Sequence, residues 1–405
     1  MRIRKVKLFS PLMIVWLALT STFPFIFYSW PGHPYKVLTF LCLAVMLASL
    51  LNTKRKVLFD LHILLLIIMQ VAYYAVVTIA FNNYSNINLC IQLFALYIIV
   101  TYISNFIGFN QFVKSYIYFI LLMGIGGVIT FFIHLFIGIP PIFEVQYSQT
   151  GITYFLGLTS TNAYVNLDGI RFMRYAGFFD EPGAFALYSI FAILLNKIYF
   201  DNKKLEYLLI IVTIFTFSLA FYIIIVLYYF LFSFKLRHLR FLLPFFFSIS
   251  ILYVFMINYD GDNTTIKLLN KSTFERFKIE DNNDGSMEER VQSSLHDKKL
   301  FLENPILGVQ IENITSGNNF YSIFAKFGFL GSLFYYAFLV YFLLLIFKLK
   351  GFQLIFYMKI FIVILMNFFH RPEFSSALIL LVIYSMIKFI NMNKPPILKC
   401  NINVK

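Results

Sequence analysis

The first residues that could take part in a reaction lie in a short polar run at 171–182, just before an apolar stretch. It places Arg171 and Arg174 three residues apart and ends with Asp180, Glu181 and Pro182. An arginine offers a planar fork of donors that suits phosphate oxygens, and a carboxylate can take a proton from a hydroxyl group. The arginines would share a face if this run were helical, which predicts an anion clamp beside a general base. A plainer interpretation stays open, in which they pair with nearby acids or lipid headgroups.

A second polar stretch holds more arginines. Arg276 and Arg290 lie on either side of an acidic patch, and the 304–309 motif (Asn-Pro-Ile-Leu-Gly-Val) follows them. The patch lacks the final glutamate of a calcium loop, so we interpret it as a solvated turn. Gly328 and Gly331 begin the next apolar run, where small residues predict close helix packing.

The six histidines are scattered and show no metal-ligand spacing. His296 lies in the second polar stretch, and His370 precedes Arg371 at the last predicted outer turn. Both histidines are candidates for proton transfer, and the alternative for His370 and Arg371 is a charged anchor at a helix end. The glycine run at 124–127 lies inside an apolar run and is not a nucleotide loop. We therefore predict no metal and no cofactor.

The composition defines the class of protein that must position these residues. Of 405 residues, 60% are hydrophobic, 20% aromatic and 13% charged, whereas globular domains are about half apolar and about a quarter charged. This excess excludes a soluble enzyme, a disordered chain and a nucleic-acid module. The net charge of +14 has a membrane cause, because the bases gather in short loops between apolar runs.

We predict an all-α polytopic membrane protein that forms one membrane domain over 1–405. A membrane helix needs about 20 mostly apolar residues. We predict twelve spans, of which 205–218 and 220–235 are short: 8–29, 36–52, 58–80, 87–107, 113–138, 182–199, 205–218, 220–235, 239–257, 328–348, 352–369 and 375–392. The first is predicted to be a retained anchor, since it is long for a signal peptide and has no good cleavage site.

The run 205–235 is ambiguous between one long helix and two short helices hinged near Ser218. Bases stand at both of its ends: Lys203, Lys204, Lys235, Arg237 and Arg240. Because short basic loops stay in the cytoplasm, both ends are predicted to lie inside. This requires a hairpin that is tilted or does not fully cross. With the hairpin the other short loops agree, and both termini are predicted to be cytoplasmic.

Two outer segments, 139–181 and 258–327, hold most of the polar residues between the spans. A transporter usually keeps its site at the membrane midplane, on broken helices with buried charges. The predicted spans carry almost no buried charge, so the pattern favours an enzyme or receptor site at the outer membrane surface.

At these residues the chain resembles the Wzy-type O-antigen and capsular polysaccharide polymerases, with the O-antigen ligases as relatives. The 174–183 run (Arg-Tyr-Ala-Gly-Phe-Phe-Asp-Glu-Pro-Gly) is similar to the family's arginine–glycine–phenylalanine–glutamate–proline signature before a span. Arg290 ahead of the 304–309 motif is the second shared feature. The third is the predicted layout of about twelve spans, an inside N-terminus and two large outer loops.

The resemblance implies a GT-C-like glycosyltransferase of the bacterial inner membrane, surrounded by membrane lipids. Its substrate would be an oligosaccharide on undecaprenyl pyrophosphate, and the growing chain would pass to the next lipid-linked repeat unit at the outer face. A chain-length regulator and a flippase are implied partners, and nucleic acid is not.

Residue roles follow from the resemblance. Arginines would stabilise the departing pyrophosphate, and a base must take the proton of the acceptor hydroxyl. The binding candidates are Arg174 and Arg290, then Arg171 and Arg276, with Asn318 and Arg371 as further contacts. The base candidates are Glu181 and Asp180, with His296 and His370 as substitutes. Asn318 lies where ligase relatives often carry a histidine, which favours a polymerase.

Three alternatives stay open. One is another GT-C relative, either an O-antigen ligase or a peptidoglycan polymerase of the shape-and-division type. The second is a flippase or transporter for lipid-linked sugars, which predicts buried charges along a central path and short outer loops. The third is a structural or binding membrane protein without catalytic activity.

Overall fold

The computed structural model describes residues 34–53, 57–82, 84, 86–147, 150–162, 164–167, 170–179, 181–234, 251, 254–256, 258–259, 261, 286–309, 319–372 and 376–392. This part of the chain is mostly helical. Its longer helices are α1 (Pro34–Leu51), α2 (Leu61–Phe81), α3 (Asn86–Tyr102), α4 (Phe109–Ile137), α5 (Pro182–Tyr199), α6 (Lys203–Ile214), α7 (Leu219–Phe232), α8 (Ser286–Glu303), α9 (Ser322–Tyr335), α10 (Ala337–Ile346), α11 (Gly351–His370) and α12 (Ala377–Met392).

Within the described ranges, five helices are long and apolar enough to cross a membrane, and a sixth span results if a bent pair is counted as one. The five are Leu61–Phe81, Asn86–Ile107, Phe109–Ile137, Pro182–Tyr199 and Gly351–Phe369, and α9 and α10 form the pair, bent by 45°. The prediction of a mostly helical chain with apolar helices that could span a membrane is therefore confirmed. The predicted count of twelve spans is not, and the predicted spans 8–29 and most of 239–257 lie outside the described residues.

The first outer segment is built differently from the all-α expectation. It holds five short strands: β1 (Phe143–Tyr147), β2 (Thr150–Phe155), β3 (Thr159–Thr161), β4 (Tyr164–Leu167) and β5 (Ile170–Met173). Strands β1, β2 and β3 form one antiparallel sheet, and β4 and β5 form another. The helix considered for Arg171 and Arg174 is therefore wrong, since Arg171 lies in β5 and Arg174 follows it. A run of β-branched and aromatic residues favours strands here.

The run 205–235 forms the predicted hairpin. Helices α6 and α7 have 12 and 14 residues, or about 18 and 21 Å at about 1.5 Å per residue, and each is too short for a bilayer core of about 30 Å. Tyr228 near the end of α7 lies beside Glu206 at the start of α6. The ring of Phe232 lies 5.9 Å from Nζ of Lys197, near the end of α5. The chain thus returns to the end from which it entered.

The second outer segment is anchored where two backbones touch. Gly328 has φ 63° and interrupts α9, and Gly308 has φ 71°. A Cβ on Gly308 would overlap the backbone of Gly328, and a Cβ on Gly328 would overlap Ile306. The amide nitrogens of Phe329 and Leu330 donate to the carbonyl oxygens of Pro305 (2.7 Å) and Ile306 (3.1 Å). Close helix packing was predicted at Gly328. The backbone that packs against Gly328 belongs to the 304–309 motif and not to a neighbouring helix.

Helices α5 and α12 occupy the centre of the described bundle. Most of their side chains are buried, which fits their nearly continuous apolar sequences. The other spans leave many large apolar side chains exposed, as expected for lipid-facing surfaces.

Candidate functional site

One end of the bundle carries an ion pair between distant parts of the chain. Nη2 of Arg371 donates to Oε1 of Glu181, and the side chains are only 14% and 24% exposed. Glu181 precedes α5 in an extended conformation (φ −148°), and Pro182 follows at the first helical turn, where a missing N–H costs nothing. Arg371 ends α11 with its amide bonded to the carbonyl oxygen of Asn367 at 3.2 Å. Two predicted site residues are therefore brought together.

Hydrogen bonds between helices fix this pair. Nδ2 of Asn367 donates to the carbonyl oxygen of Leu187 (3.2 Å), which ties α11 to α5. The hydroxyl of Tyr336 donates to the carbonyl oxygen of Pro372 (3.1 Å), which ties the bend between α9 and α10 to the residue after Arg371. Tyr188 of α5 stacks on Phe179, with centroids 4.6 Å apart. The pair therefore lies at a junction of several helices.

Arg174 lies below the surface and contacts the hairpin. It is 9% exposed, and its Nε and Nη2 donate to the carbonyl oxygens of Thr216 (3.3 Å) and Phe217 (2.8 Å). These carbonyls lie between the last residue of α6 and the first residue of α7. A cation near the C-terminal end of α6 also complements the helix dipole. Two nitrogen donors of Arg174 are thus used for hydrogen bonds inside the protein. The predicted contact of Arg174 with a phosphate group stays a prediction.

A third group lies on α8. Asp297 is completely buried, and its Oδ2 accepts a hydrogen bond from Nδ2 of Asn319 at 2.6 Å. The same nitrogen lies 3.3 Å from Oγ of Ser293. The adjacent Phe320 stacks on Phe369 of α11, with centroids 5.0 Å apart. This connects the second outer segment to the helix end that carries Arg371.

Sequence reasoning missed Asp297. Its signal is the spacing of Ser293 and Asp297, which are four residues apart and therefore share a helix face. The contacts of Arg174 with Thr216 and Phe217 could not be predicted in this way, because they are made to backbone carbonyl oxygens, which every residue has.

The other predicted site residues lie on several different elements. His296 is exposed on α8. Arg171, Arg290 and His370 lie in β5, α8 and α11, but their side chains lie outside the described residues, as do Asp180, Arg276 and Asn318 entirely. Glu181 occupies the N-cap position of α5, and its side chain caps no amide. Within the described ranges, no group of three His, Cys, Asp or Glu residues could hold a metal ion.

The arrangement offers a carboxylate held beside a guanidinium at a partly open helix junction. Such a pair can bind a hydroxyl group and an anionic oxygen side by side. Comparison of the chain with protein-family models, curated proteins and solved structures finds no match.

Proposed function

We propose that the protein is a polymerase of oligosaccharide repeat units carried on undecaprenyl pyrophosphate, acting at the outer face of the bacterial inner membrane. The observation that carries this proposal is the Glu181–Arg371 ion pair. It joins the arginine–glycine–phenylalanine–glutamate–proline run to the last outer turn, at one end of a helical membrane protein. Both residues are candidates on sequence grounds alone.

In the proposed reaction Glu181 takes the proton of the acceptor hydroxyl. The oxygen then forms a bond with the anomeric carbon of the donor sugar, and the bond from that carbon to the pyrophosphate oxygen breaks. Undecaprenyl pyrophosphate leaves with the electron pair. Its negative charge would be stabilised by arginines of the two outer segments, with Arg290, Arg171 and Arg276 as candidates, while Arg371 orients Glu181.

The test uses a strain that lacks the gene and carries variants of it, with surface polysaccharide separated on a gel. We expect the deletion strain to show single repeat units only. Glu181→Gln should lower polymer formation by about 100-fold or more, the usual size of a lost general base, with protein levels in the membrane unchanged. Asp201→Asn is the matched control, because Asp201 pairs with Lys197 at the other end of α5.

A charge swap separates chemistry from folding. Glu181→Arg combined with Arg371→Glu keeps an ion pair between α5 and α11, so we expect normal protein levels without polymer. Polymer from this double variant would contradict the role of Glu181 as the base. Long chains in the deletion strain would refute the polymerase itself, and if they are not attached to lipid A they would identify a ligase.

A further inference from the structure

The hairpin of α6 and α7 turns at residues 215–218, here called the hinge, and the hinge contains a strained backbone conformation. Phe217 has φ 50°, a left-handed conformation that costs a non-glycine residue about 1–2 kcal/mol. Oγ1 of Thr216 in the hinge donates to the carbonyl oxygen of Thr213 in the last turn of α6 at 2.7 Å. The amide of Ser218 lies 3.3 Å from the same Oγ1. The carbonyl oxygens of Thr216 and Phe217 accept hydrogen bonds from outside the hinge.

Two neighbouring residues of the outer segment supply donors. The Arg174 guanidinium donates to the carbonyl oxygens of Thr216 and Phe217. The hydroxyl of Tyr175 donates to the carbonyl oxygen of Val212, in the last turn of α6. Thr216 and Tyr175 are both completely buried, so water is not available to replace these bonds.

The segment that carries these donors is itself held in place. Oγ1 of Thr161 donates to the carbonyl oxygen of Arg174 at 2.6 Å. The amide of Ala176 donates to the carbonyl oxygen of Ser160 at 2.8 Å. On the other side, the Tyr175 ring fills the space beside Gly127 of α4, where any Cβ would overlap it. A continuous line of contacts therefore runs from β3 through Arg174 to the hinge.

The same segment leads directly to the candidate site. Glu181 follows Arg174 after a turn that contains Gly177 and Phe179, and Oγ of Ser160 lies 2.9 Å from the carbonyl oxygen of each, so that its one hydroxyl proton can bond either. A displacement of Arg174 from the hinge would therefore move both the hairpin and the approach to Glu181. We propose that Arg174 is a positioning residue that locks the hinge to the outer strands and thereby fixes the hairpin, with Tyr175 as its partner.

The test measures the position of the hairpin directly. Cys42, Cys90 and Cys400 are replaced, and spin labels are attached to Leu156→Cys beside β2 and Phe230→Cys on α7, both of which are exposed positions. The distance distribution between the labels is recorded in lipid nanodiscs. We expect one narrow population in the parent protein and a second, displaced population in Arg174→Ala.

Two milder variants and one control test whether the displacement depends on the hydrogen bonds to the hinge. Arg174→Lys keeps the charge and one donor group, so it should restore most of the parent population, and Tyr175→Phe should show a smaller displacement than Arg174→Ala. Lys204→Ala removes an exposed charge from the same hairpin and should leave the distances unchanged. An unchanged distribution in Arg174→Ala would overturn the proposal.

Polymer formation is measured for the same variants, and only this arm rests on the proposed function. If Arg174→Ala abolishes polymer without moving the labels, Arg174 acts on the substrate, and the positioning role is refuted while the polymerase stands. If the labels move in Arg174→Ala although the unaltered gene supports no polymer, the positioning role stands and the polymerase is refuted.

Discussion

At the level of single residues, Asp60 forms an ion pair with Lys388 at the opposite end of the bundle from Glu181. Asp60 precedes α2, and its Oδ2 lies 2.9 Å from Nζ of Lys388 on α12 and also accepts the hydroxyl of Tyr384. Burial raises the pKa of Asp60, but the hydrogen bonds from Lys388 and Tyr384 outweigh it, so the pKa lies below its ordinary value. The folded protein therefore favours the ionised carboxylate.

This shift predicts a loss of stability in acid. A depressed pKa stabilises the fold above the unfolded value of about 3.9, and the contribution is lost as pH falls through the folded pKa. We expect Asp60→Asn to lower the thermal midpoint at pH 7 in nanodiscs, and the difference from wild type to shrink as pH falls below about 4. Asp201→Asn is the control, because Asp201 is 62% exposed in its ion pair and such pairs contribute little. An equal difference at pH 7 and in acid would contradict the prediction.

At the level of elements, the contact between Gly308 and Gly328 determines where the second outer segment meets the membrane helices. Both residues combine a left-handed φ with backbone contact on the Cβ side. We expect Gly308→Ala or Gly328→Ala to cost about 2–5 kcal/mol, the sum of the left-handed penalty and overpacking.

Gly351→Ala is the matched control for this prediction. Gly351 has φ 56° but nothing within 4 Å of a Cβ, so only the conformational penalty of about 1–2 kcal/mol applies. Thermal midpoints and protein levels of the three variants are compared. If Gly351→Ala is as harmful as Gly308→Ala, backbone contact is not the reason for the glycines.

The long apolar helices and the hairpin could be predicted from the sequence, whereas the short strands could not. Helices α2, α4 and α11 are predicted within a few residues, because nothing interrupts their apolar runs. The hairpin is predicted from the bases at its ends, since charge fixes the side on which a helix ends. The strands are missed because short alternating runs around Arg171 give a weak local signal. The buried position of Arg174 depends on contacts with residues more than 40 positions away, and no local pattern encodes them.

Of the candidate site, the sequence identifies the residue types but not their partners. Glu181 and Arg371 are both candidates, yet their pairing joins positions 190 residues apart. Asp297 and Asn319 likewise meet only through the packing of α8 against the turn before α9. Such pairs result from the tertiary arrangement of helices, and one sequence read alone does not contain them.

At the level of the whole molecule, two long-range ion pairs agree with the predicted arrangement of the ends. Asp60 lies at the start of the predicted span 58–80 and Lys388 near the end of 375–392, and with cytoplasmic termini both of these span ends are predicted to lie inside. Glu181 and Arg371 are both predicted to lie outside. If the run 205–235 crossed the membrane once, every later segment would change side. Arg371 would then lie at the opposite face from Glu181, which their contact excludes. The hairpin and the ion pair therefore support each other.

This reasoning gives a prediction about two exposed positions, Leu158 after β2 and Ile306 in the 304–309 motif. Between them the chain contains α5, the hairpin and the predicted span 239–257, so an even number of crossings places them on the same side. A cysteine at either position, in a background without native cysteines, should react with a membrane-impermeant reagent added outside intact spheroplasts.

Cysteines at Asn202 and Met392 provide the opposite case. Both residues are exposed, and they lie at the ends of α5 and α12 away from Glu181, so they should react only after the membrane is permeabilised. If positions 158 and 306 label from different sides, the hairpin is a single span or 239–257 does not cross. In either case Arg290 and Glu181 would face opposite compartments, and one outer site that uses both would be physically impossible.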